Sequence, residues 1–309
     1  MRLLYTFVAA ALLTLMGGSC EREDDIQPPR IPTHIPDEQI VYITNDERPL
    51  EMSTLVGFGA DFVSHSYNNG LGVITFSGPV TTIPKSAFKG RTSLVQMGLS
   101  ESVTRIEADA FQECIMLEAL YTGNSIHTIG PWAFAYCRRL TLFTLSESIT
   151  AIGEGAFAHC YGLTELSLPQ NLRSIAPQAF ECCTALGRVI FHDGLTSMGH
   201  SAFSGCVGLY DVTLPTSLLE LEPYTFANCE SLRSITLHKN LRSLGQNLFD
   251  GCTSLQSIYS NAATPPEGGK DMFAGGARDR SIYVPATSVE AYQEAEFWSD
   301  YADEIKPME

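Results

Sequence analysis

Hydrophobic residues recur along this chain with a fixed spacing of 23 residues. Phenylalanine marks the spacing most plainly, at Phe88, Phe111, Phe134, Phe157, Phe180, Phe203, Phe226 and Phe249. A leucine follows each of these by six residues, and Ile, Leu or Met precedes each by five. Self-similarity at a period of this length is typical of a solenoid, in which each unit packs only against its neighbours.

Two hydrophobic periods alternate within each unit. Leu166 and Leu168 alternate with polar neighbours, and this period of two predicts a short strand with one buried face. Around Phe157 the apolar residues are about three apart, which favours a short helical or 3₁₀ turn. The sequence therefore predicts an α/β repeat solenoid, a right-handed coil with one short parallel strand and one helical turn per unit.

The array needs a structure at its N-terminal end to cover the first coil. Residues 71–285 keep the period, and residues 72–76 match the strand phase of the unit before Phe88. Residues 38–70 do not keep it, but residues 40–44 look like a strand, followed by a turn at Asn45 and Asp46. We therefore expect an N-terminal β cap over residues 38–70 and repeats over residues 71–285.

The C-terminal end also needs a cover. Residues 286–309 are expected to form a helical cap, with a helix over residues 288–298. Thr287 and Glu290 have the spacing of a capping box. The side chains expected to pack inwards are Val289, Tyr292 and Trp298.

The first 37 residues are unlike the array. Arg2, an apolar run and small residues ending at Ser19 predict a signal peptide over residues 1–19. The small residues before Cys20 resemble a bacterial lipobox, so Cys20 is expected to carry the lipid; ordinary cleavage nearby is the alternative. Residues 20–37, acidic and then rich in proline, are expected to form an extended lipid-anchored linker.

The acidic run that directly follows Cys20, residues 21–25, has two interpretations. It resembles the tag that sends some lipoproteins of Bacteroides-like bacteria to the outer face of the outer membrane. A solvated spacer is the alternative, because acidic runs commonly have that role.

One repeat carries a family resemblance. Residues 151–169, Ala-Ile-Gly-Glu-Gly-Ala-Phe-Ala-His-Cys-Tyr-Gly-Leu-Thr-Glu-Leu-Ser-Leu-Pro, resemble the BspA-type leucine-rich repeat of bacterial surface proteins. The resemblance extends over residues 71 to about 285. It implies a leucine-rich-repeat coil on a bacterial surface and a role in adhesion to host matrix proteins or other bacteria. It implies a class of function and no individual binding residue.

Cysteine recurs with the same period, three residues after seven of the eight phenylalanines. Neighbouring strands lie about 4.8 Å apart, which is wider than the Cβ separation that a disulfide requires. The spacing also lacks the Cys-x-x-Cys pairs of zinc sites. We therefore expect buried, reduced thiols and predict no metal or cofactor. Cys182 lies outside this series and is expected to be the most reactive thiol.

The net charge and the absence of catalytic motifs disfavour two classes of function, nucleic-acid binding and catalysis. The formal net charge of −16 disfavours nucleic acid as a partner, because phosphate backbones are also negative. Neither a glycine-rich phosphate loop nor a nucleophile elbow occurs in the sequence. His159 and Cys160 are adjacent, but Cys160 belongs to the buried series. We therefore predict that the protein is not an enzyme.

The outward side of the strands is the candidate binding surface, because repeat proteins commonly bind there. Its expected members are Gln96, Tyr121, Thr144, Glu165, Ser167, Arg188, Ile190, Asp211, Thr213, Ser234, Thr236 and Tyr259. Most are Ser or Thr, which suit an inert solvated face. Aromatic residues and arginine are enriched where binding energy concentrates. The candidate ligand-binding residues are Tyr121, Arg188, Ile190 and Tyr259.

Two functions fit this pattern. The first is a cell-surface lipoprotein of the bacterial outer membrane that binds a host matrix protein or another bacterial surface protein. The alternative is a glycan-binding accessory lipoprotein of a nutrient-uptake system. A glycan-binding protein should expose aromatic platforms on one face, and the strands offer only Tyr121 and Tyr259.

Overall fold

The computed structural model describes residues 29–52 and 55–309, so the predicted signal peptide and Cys20 lie outside the described residues. The chain forms a solenoid of about 10 turns, with a period of ~23 residues and parallel strands. These features confirm the predicted repeat architecture. From Phe88 to Phe249 each turn contributes two strands rather than the single strand that was predicted.

An antiparallel sheet covers the N-terminal end, built from β1 (Gln39–Thr44), β2 (Phe62–Asn68) and β3 (Leu71–Phe76). β1 pairs with β3 on one side and with the next long strand of the solenoid, residues 94–99, on the other. Residues 72–76 keep the strand phase, yet β1 separates them from that strand. The burial of Ile40 and Tyr42 explains this central position for β1.

Parallel strands then run along two sides of the solenoid. In chain order they are β4 (Thr82–Ile83), β5 (Leu94–Leu99), β6 (Arg105–Ile106), β7 (Ala119–Tyr121), β8 (Thr128–Ile129), β9 (Leu142–Phe143), β10 (Ala151–Ile152), β11 (Glu165–Ser167), β12 (Ser174–Ile175), β13 (Arg188–Ile190), β14 (Ser197–Met198), β15 (Asp211–Val212), β16 (Glu220–Leu221), β17 (Ser234–Leu237), β18 (Ser243–Leu244), β19 (Ser257–Ser260), β20 (Ser281–Val284) and β21 (Ile305–Pro307). The even-numbered strands from β4 to β18 form one row. The other row contains the odd-numbered strands from β5 to β19, followed by β20 and β21.

The segment around each phenylalanine is a series of tight turns, so the predicted helical turn was wrong. Gly155 and His159, two residues on either side of Phe157, have φ of 55° and 60°. Left-handed residues at this spacing cannot continue a right-handed helix. The amide of Ala158 donates to Gly155 within the turn, whereas the amide of Phe157 donates to Ala179 of the next coil at 2.8 Å.

The phenylalanines stack into a continuous ladder inside the solenoid. Consecutive rings from Phe88 to Phe273 lie with centroids 5.1–5.8 Å apart and nearly parallel. This spacing follows from the strand separation of about 4.8 Å together with the small offset that aromatic stacking prefers. All eight ring positions predicted from the period are buried.

The periodic cysteines are buried beside this ladder, as expected. The Cys160 Sγ donates to the carbonyl of Phe134 in the preceding coil at 3.2 Å, and the same bond recurs along the series at 3.0–3.4 Å. Burial raises the pKa of the Cys160 thiol well above its ordinary value. These thiols are therefore hydrogen-bonded packing groups rather than nucleophiles.

The helix of the C-terminal cap is shorter than the predicted helix over residues 288–298. This helix, α1 (Val289–Glu294), lies between 3₁₀ segments at Ala286–Ser288 and Ser299–Glu304. Tyr292 and Trp298 are fully buried, and Val289 is partly buried against the core. The predicted capping box is absent from α1, because its N-terminal cap makes no side-chain hydrogen bond.

Candidate functional site

The strand face is the candidate binding surface predicted above. We define it as the residues eight and ten positions after each phenylalanine of the ladder, which alternate with the buried residues of the long strands. Parallel pairing aligns equivalent positions, so Glu165, Arg188 and Asp211 are neighbours across β11, β13 and β15. The outward residues of successive coils therefore form continuous rows.

Arg188 lies in the middle of the strand face. Its Nε is 3.2 Å from the Asp211 Oδ2, and 51% of the Arg188 side chain remains exposed. An ion pair this exposed adds little stability but fixes the direction of the guanidinium group. Ile190, two residues further along β13, is half-buried beside Ser167. Arg188 is thus accessible to a partner, and Ile190 offers a smaller apolar surface.

Tyr259 lies towards the C-terminal end of the face, where it is 38% exposed. Its ring stacks on Tyr283 of the next strand, with centroids 5.0 Å apart. The sequence analysis missed Tyr283, although it follows Phe273 by ten residues, just as Tyr259 follows Phe249. β21 places Lys306 opposite Tyr283. This end therefore carries two aromatic rings and a cation.

Tyr121 lies at the N-terminal end of the strand face, with 44% of its surface exposed. It borders a groove of about 710 Å³ between the strand face and residues 29–35. A side chain at Gly98 would overlap Ile35, which is itself buried. The described part of the predicted linker is therefore docked on the first coils, although it forms neither helix nor strand.

The four predicted residues do not meet in one pocket. Tyr121 and Ile190 occupy equivalent positions three coils apart, and Tyr259 lies three coils further. At the spacing of parallel strands each interval is roughly 15 Å. The strand face is therefore suited to a partner that spans many coils.

A second exposed cluster lies among the tight turns, on the side of the solenoid that we call the turn face. Tyr136 and His159 stack there with ring centroids 4.5 Å apart, and Tyr161 meets His159 edge-on at 6.0 Å. From the sequence, His159 was interpreted only as a neighbour of Cys160. Comparison of the positions two residues after each phenylalanine could have revealed Tyr136 and His159.

Two features bear on metal binding and thiol chemistry in the part of the chain that the structure describes. Within residues 29–52 and 55–309, three or more His, Cys, Asp or Glu side chains never gather as a metal ion would require. Cys182 is partly exposed, but burial and then the Glu181 carboxylate raise the pKa of its thiol. The environment of Cys182 therefore opposes formation of the thiolate. The same residues include no helix long and apolar enough to cross a membrane.

The repeating coil and its parallel strands define a leucine-rich-repeat solenoid. The chain matches the family described as "BspA type Leucine rich repeat region" in six copies, over residues 64–187 and 173–299. The protein therefore belongs to the BspA-type leucine-rich-repeat family. Members of this family are bacterial cell-surface proteins, and the fold is typically a non-enzymatic scaffold.

Several solved bacterial structures are similar to the chain. A leucine-rich cell surface protein of Faecalibacterium prausnitzii is 19% identical, with 91% of this chain and 96% of that chain covered and a TM-score of 0.43. A leucine-rich repeat protein of T. pallidum is 25% identical, with coverage of 66% and 86% and a TM-score of 0.45. One from Bacteroides ovatus is 18% identical, with coverage of 90% and 100% and a TM-score of 0.31. No curated protein matches the chain.

Proposed function

We propose that this protein is a lipid-anchored scaffold on the outer face of a bacterial outer membrane, and that it binds a host matrix protein or another bacterial surface protein. The observation that carries the proposal is the strand face, a set of outward positions that recurs from coil to coil and along which Tyr121, Arg188 and Tyr259 are exposed. Family membership supports a protein-binding scaffold.

The dimensions of the strand face suit a protein partner. Nine strands contribute to it, the odd-numbered strands from β5 to β19 and then β20. Their separation gives a length of roughly 40 Å. A stable protein interface buries about 800 Å² on each partner and draws its affinity from a few aromatic or arginine anchors. The separated anchors of the strand face fit an interface of that kind.

The position of residues 29–35 supports attachment at one end of the solenoid. Because this segment lies on the first coils, a lipid on Cys20 would hold the N-terminal cap near the membrane. The rest of the strand face would then extend away from the bilayer. A tether of this kind presents the Arg188 and Tyr259 regions to partners outside the cell.

Replacing the proposed lipid site should release the protein from the membrane. In Cys20→Ser the thiol that would carry the lipid is gone, so the protein should move from the detergent phase to the aqueous phase after phase separation. Cys182→Ser is the matched control, because it removes a thiol from the folded solenoid, and it should stay in the detergent phase. Retention of Cys20→Ser in the detergent phase would contradict lipid anchoring.

Removing two anchors from the strand face should weaken binding without unfolding the protein. The double variant Arg188→Ala and Tyr259→Ala removes exposed side chains from coils three units apart. We expect its affinity for a protein partner to fall by roughly tenfold or more. Its melting temperature should change little, because substitutions of exposed side chains are usually within about 0.5 kcal/mol. Immobilised host matrix proteins and whole bacterial cells serve as the probes.

The matched control removes the same residue types from outside the strand face. Arg242 and Tyr224 are both exposed, and neither lies in the outward rows of the long strands. The variant Arg242→Ala and Tyr224→Ala should bind the probes like the parent protein. Equal binding by both double variants would refute the strand face as the recognition surface.

A further inference from the structure

The turn face carries an aromatic cluster that the strand-face proposal does not use. We define the turn-face cluster as Trp132, Tyr136, His159 and Tyr161, which come from two successive coils. Besides the stacked Tyr136 and His159 rings, the His159 Nδ1 lies 3.3 Å from the Tyr161 hydroxyl. Three of these residues are half-buried, and Tyr161 is exposed. The cluster is therefore a surface feature rather than part of the core.

The backbone under this cluster does not favour aromatic residues. Trp132, Tyr136 and His159 have φ of 56°, 63° and 60°, in the left-handed region. These residues lie two positions before or after a phenylalanine of the ladder. Apart from Tyr224, the other residues at these positions are small or polar, namely Ser86, Gly90, Asp109, Glu113, Gly155, Gln178, Cys182, Ser201, Gly205, Asn228, Asn247, Gly251, Asp271 and Gly275. Bulky residues are uncommon in this region, and such exceptions concentrate at functional sites. Local folding preference therefore does not explain Trp132 and Tyr136.

Trp132 forms a flat platform at one edge of the cluster. Its indole lies against the backbone of Gly155 in the next coil, where an added Cβ would overlap three ring carbons. Gly155 occupies the position equivalent to Trp132, so the missing side chain there makes room for the ring. One face of the indole is thus supported by the fold, while the side chain as a whole is only half-buried.

Polar and charged groups surround the platform. The Arg138 guanidinium lies over the Tyr161 ring, 5.9 Å from its centroid, and the exposed Glu154 immediately precedes Gly155. Asp109 and Glu113 hold the positions equivalent to Trp132 and Tyr136 in the preceding coil, so this edge is acidic, and its carboxylates can accept hydrogen bonds from hydroxyl groups. The net charge of −16 further disfavours an anionic ligand. A neutral ligand with an apolar face and many hydroxyl groups fits this surface.

We propose that the turn-face cluster binds a neutral hexopyranose glycan, with one sugar ring stacked on Trp132. The C–H groups on the face of a pyranose are weakly positive and pack on the negative face of an aromatic ring. The sugar hydroxyls then donate hydrogen bonds to acceptors on the neighbouring coils, where Asp109 and Glu154 flank Trp132. This site is separate from the strand face and does not depend on protein binding there.

Tryptophan fluorescence reports on this site directly. The chain has two tryptophans, and Trp298 is fully buried in the C-terminal cap. Quenching by acrylamide in the parent protein should therefore come mainly from Trp132. A printed array of neutral gluco-, manno-, galacto- and xylo-oligosaccharides identifies the sugar, and titration of the same sugar should protect Trp132 from the quencher.

Replacing Trp132 by asparagine tests the site without straining the backbone. Asn247 occupies the equivalent position with φ of 51°, so asparagine suits this conformation. Trp132→Asn should weaken glycan binding by about 30-fold, the effect expected of a tryptophan anchor. Tyr224→Asn is the matched control, because Tyr224 is also aromatic, 39% exposed and left-handed at the equivalent position. The control should bind like the parent.

The following results would overturn the proposal of a glycan site at Trp132. Absence of binding to every neutral oligosaccharide at millimolar concentration would do so, as would binding only to sulfated or carboxylated glycans. Equal affinities of Trp132→Asn and Tyr224→Asn would move the glycan site elsewhere. If Trp132→Asn does not melt like the parent, two measurements replace it: the glycan affinity of His159→Asn and the quenching titration of the parent protein. The proposed site would then be overturned if His159→Asn bound the glycan like the parent and the glycan did not change the quenching of Trp132.

Discussion

Replacing Phe157 by alanine is expected to lower the free energy of unfolding by about 3–5 kcal/mol, the usual loss for a buried phenylalanine. The ring is 1% exposed and lies between Phe134 and Phe180, with centroids 5.2 Å and 5.3 Å away. Because neighbouring coils pack on both faces, neither can move in to fill the space without losing its own contacts. Thermal and urea unfolding measure the effect.

Leu142→Ala is the control for Phe157→Ala, because Leu142 is a large apolar residue that is 60% exposed. Its effect should stay within about 0.5 kcal/mol. In a repeat protein each interface contributes separately, so Phe157→Ala should also broaden the unfolding transition. A melting curve for Phe157→Ala that matches the parent would contradict the stacked ladder.

Replacing Glu304 by alanine is expected to cost about 3 kcal/mol, because it leaves a buried guanidinium group without its partner. The Arg280 Nε lies 2.6 Å from the Glu304 Oε2, and its second contact to Glu304 is 3.0 Å. The side chain of Arg280 is only 6% exposed. This pair ties the start of β20 to the last 3₁₀ segment, so its loss should loosen the C-terminal cap.

The exposed pair on the strand face is the natural comparison for this ion pair. Asp211→Ala removes the partner of Arg188, whose side chain is 51% exposed, and should cost about 0–1 kcal/mol. Urea unfolding of the two variants side by side separates the buried pair from the exposed one. Similar small losses in both would show that Arg280 does not depend on Glu304 for stability.

The features that recur with the 23-residue period could be predicted from the sequence. Phe157 and Cys160 recur in equivalent positions, so one interpretation of their burial applied to every coil, and the structure confirms it. The even-numbered strands from β4 to β18 were missed because each has two residues, as in Ala151–Ile152, and shows one buried residue without alternation. A pattern that short cannot be distinguished from a loop.

The tight turns were misjudged for a different reason. Apolar residues three apart around Phe157 suit a 3₁₀ turn and a series of tight turns equally well. Left-handed conformations are usually signalled by glycine or asparagine, but Trp132 and His159 hold these positions here. Neither the turn geometry nor the turn-face cluster could therefore be predicted from the sequence.

The ends of the array depend on contacts that the period does not encode. β1 inserts between β3 and β5, an arrangement determined by pairing between residues 39–44 and 71–99 rather than by spacing. The docking of Ile35 on the first coils is also non-local, and Gly98 leaves the space for it. Proline-rich composition predicted an extended backbone in this segment but could not predict its contacts.

The strand face and the turn face lie on different sides of each coil, which allows protein and glycan binding to be separated. A strand-face variant should lose protein binding and keep the glycan, whereas Trp132→Asn should do the opposite. A glycan carried by a protein partner could engage both faces. Free oligosaccharides and a deglycosylated partner distinguish that case.

The central claim is that the strand face recognises a protein, and a dissociation constant measured by surface binding tests it most directly. The proteins compared are the parent, Arg188→Ala with Tyr259→Ala, and Trp132→Asn, each against the same immobilised deglycosylated partner from the matrix or bacterial-cell screen. We expect the strand-face variant to bind roughly tenfold or more weakly and Trp132→Asn to bind like the parent. Unchanged affinity in the strand-face variant, with a normal melting temperature, would contradict the claim.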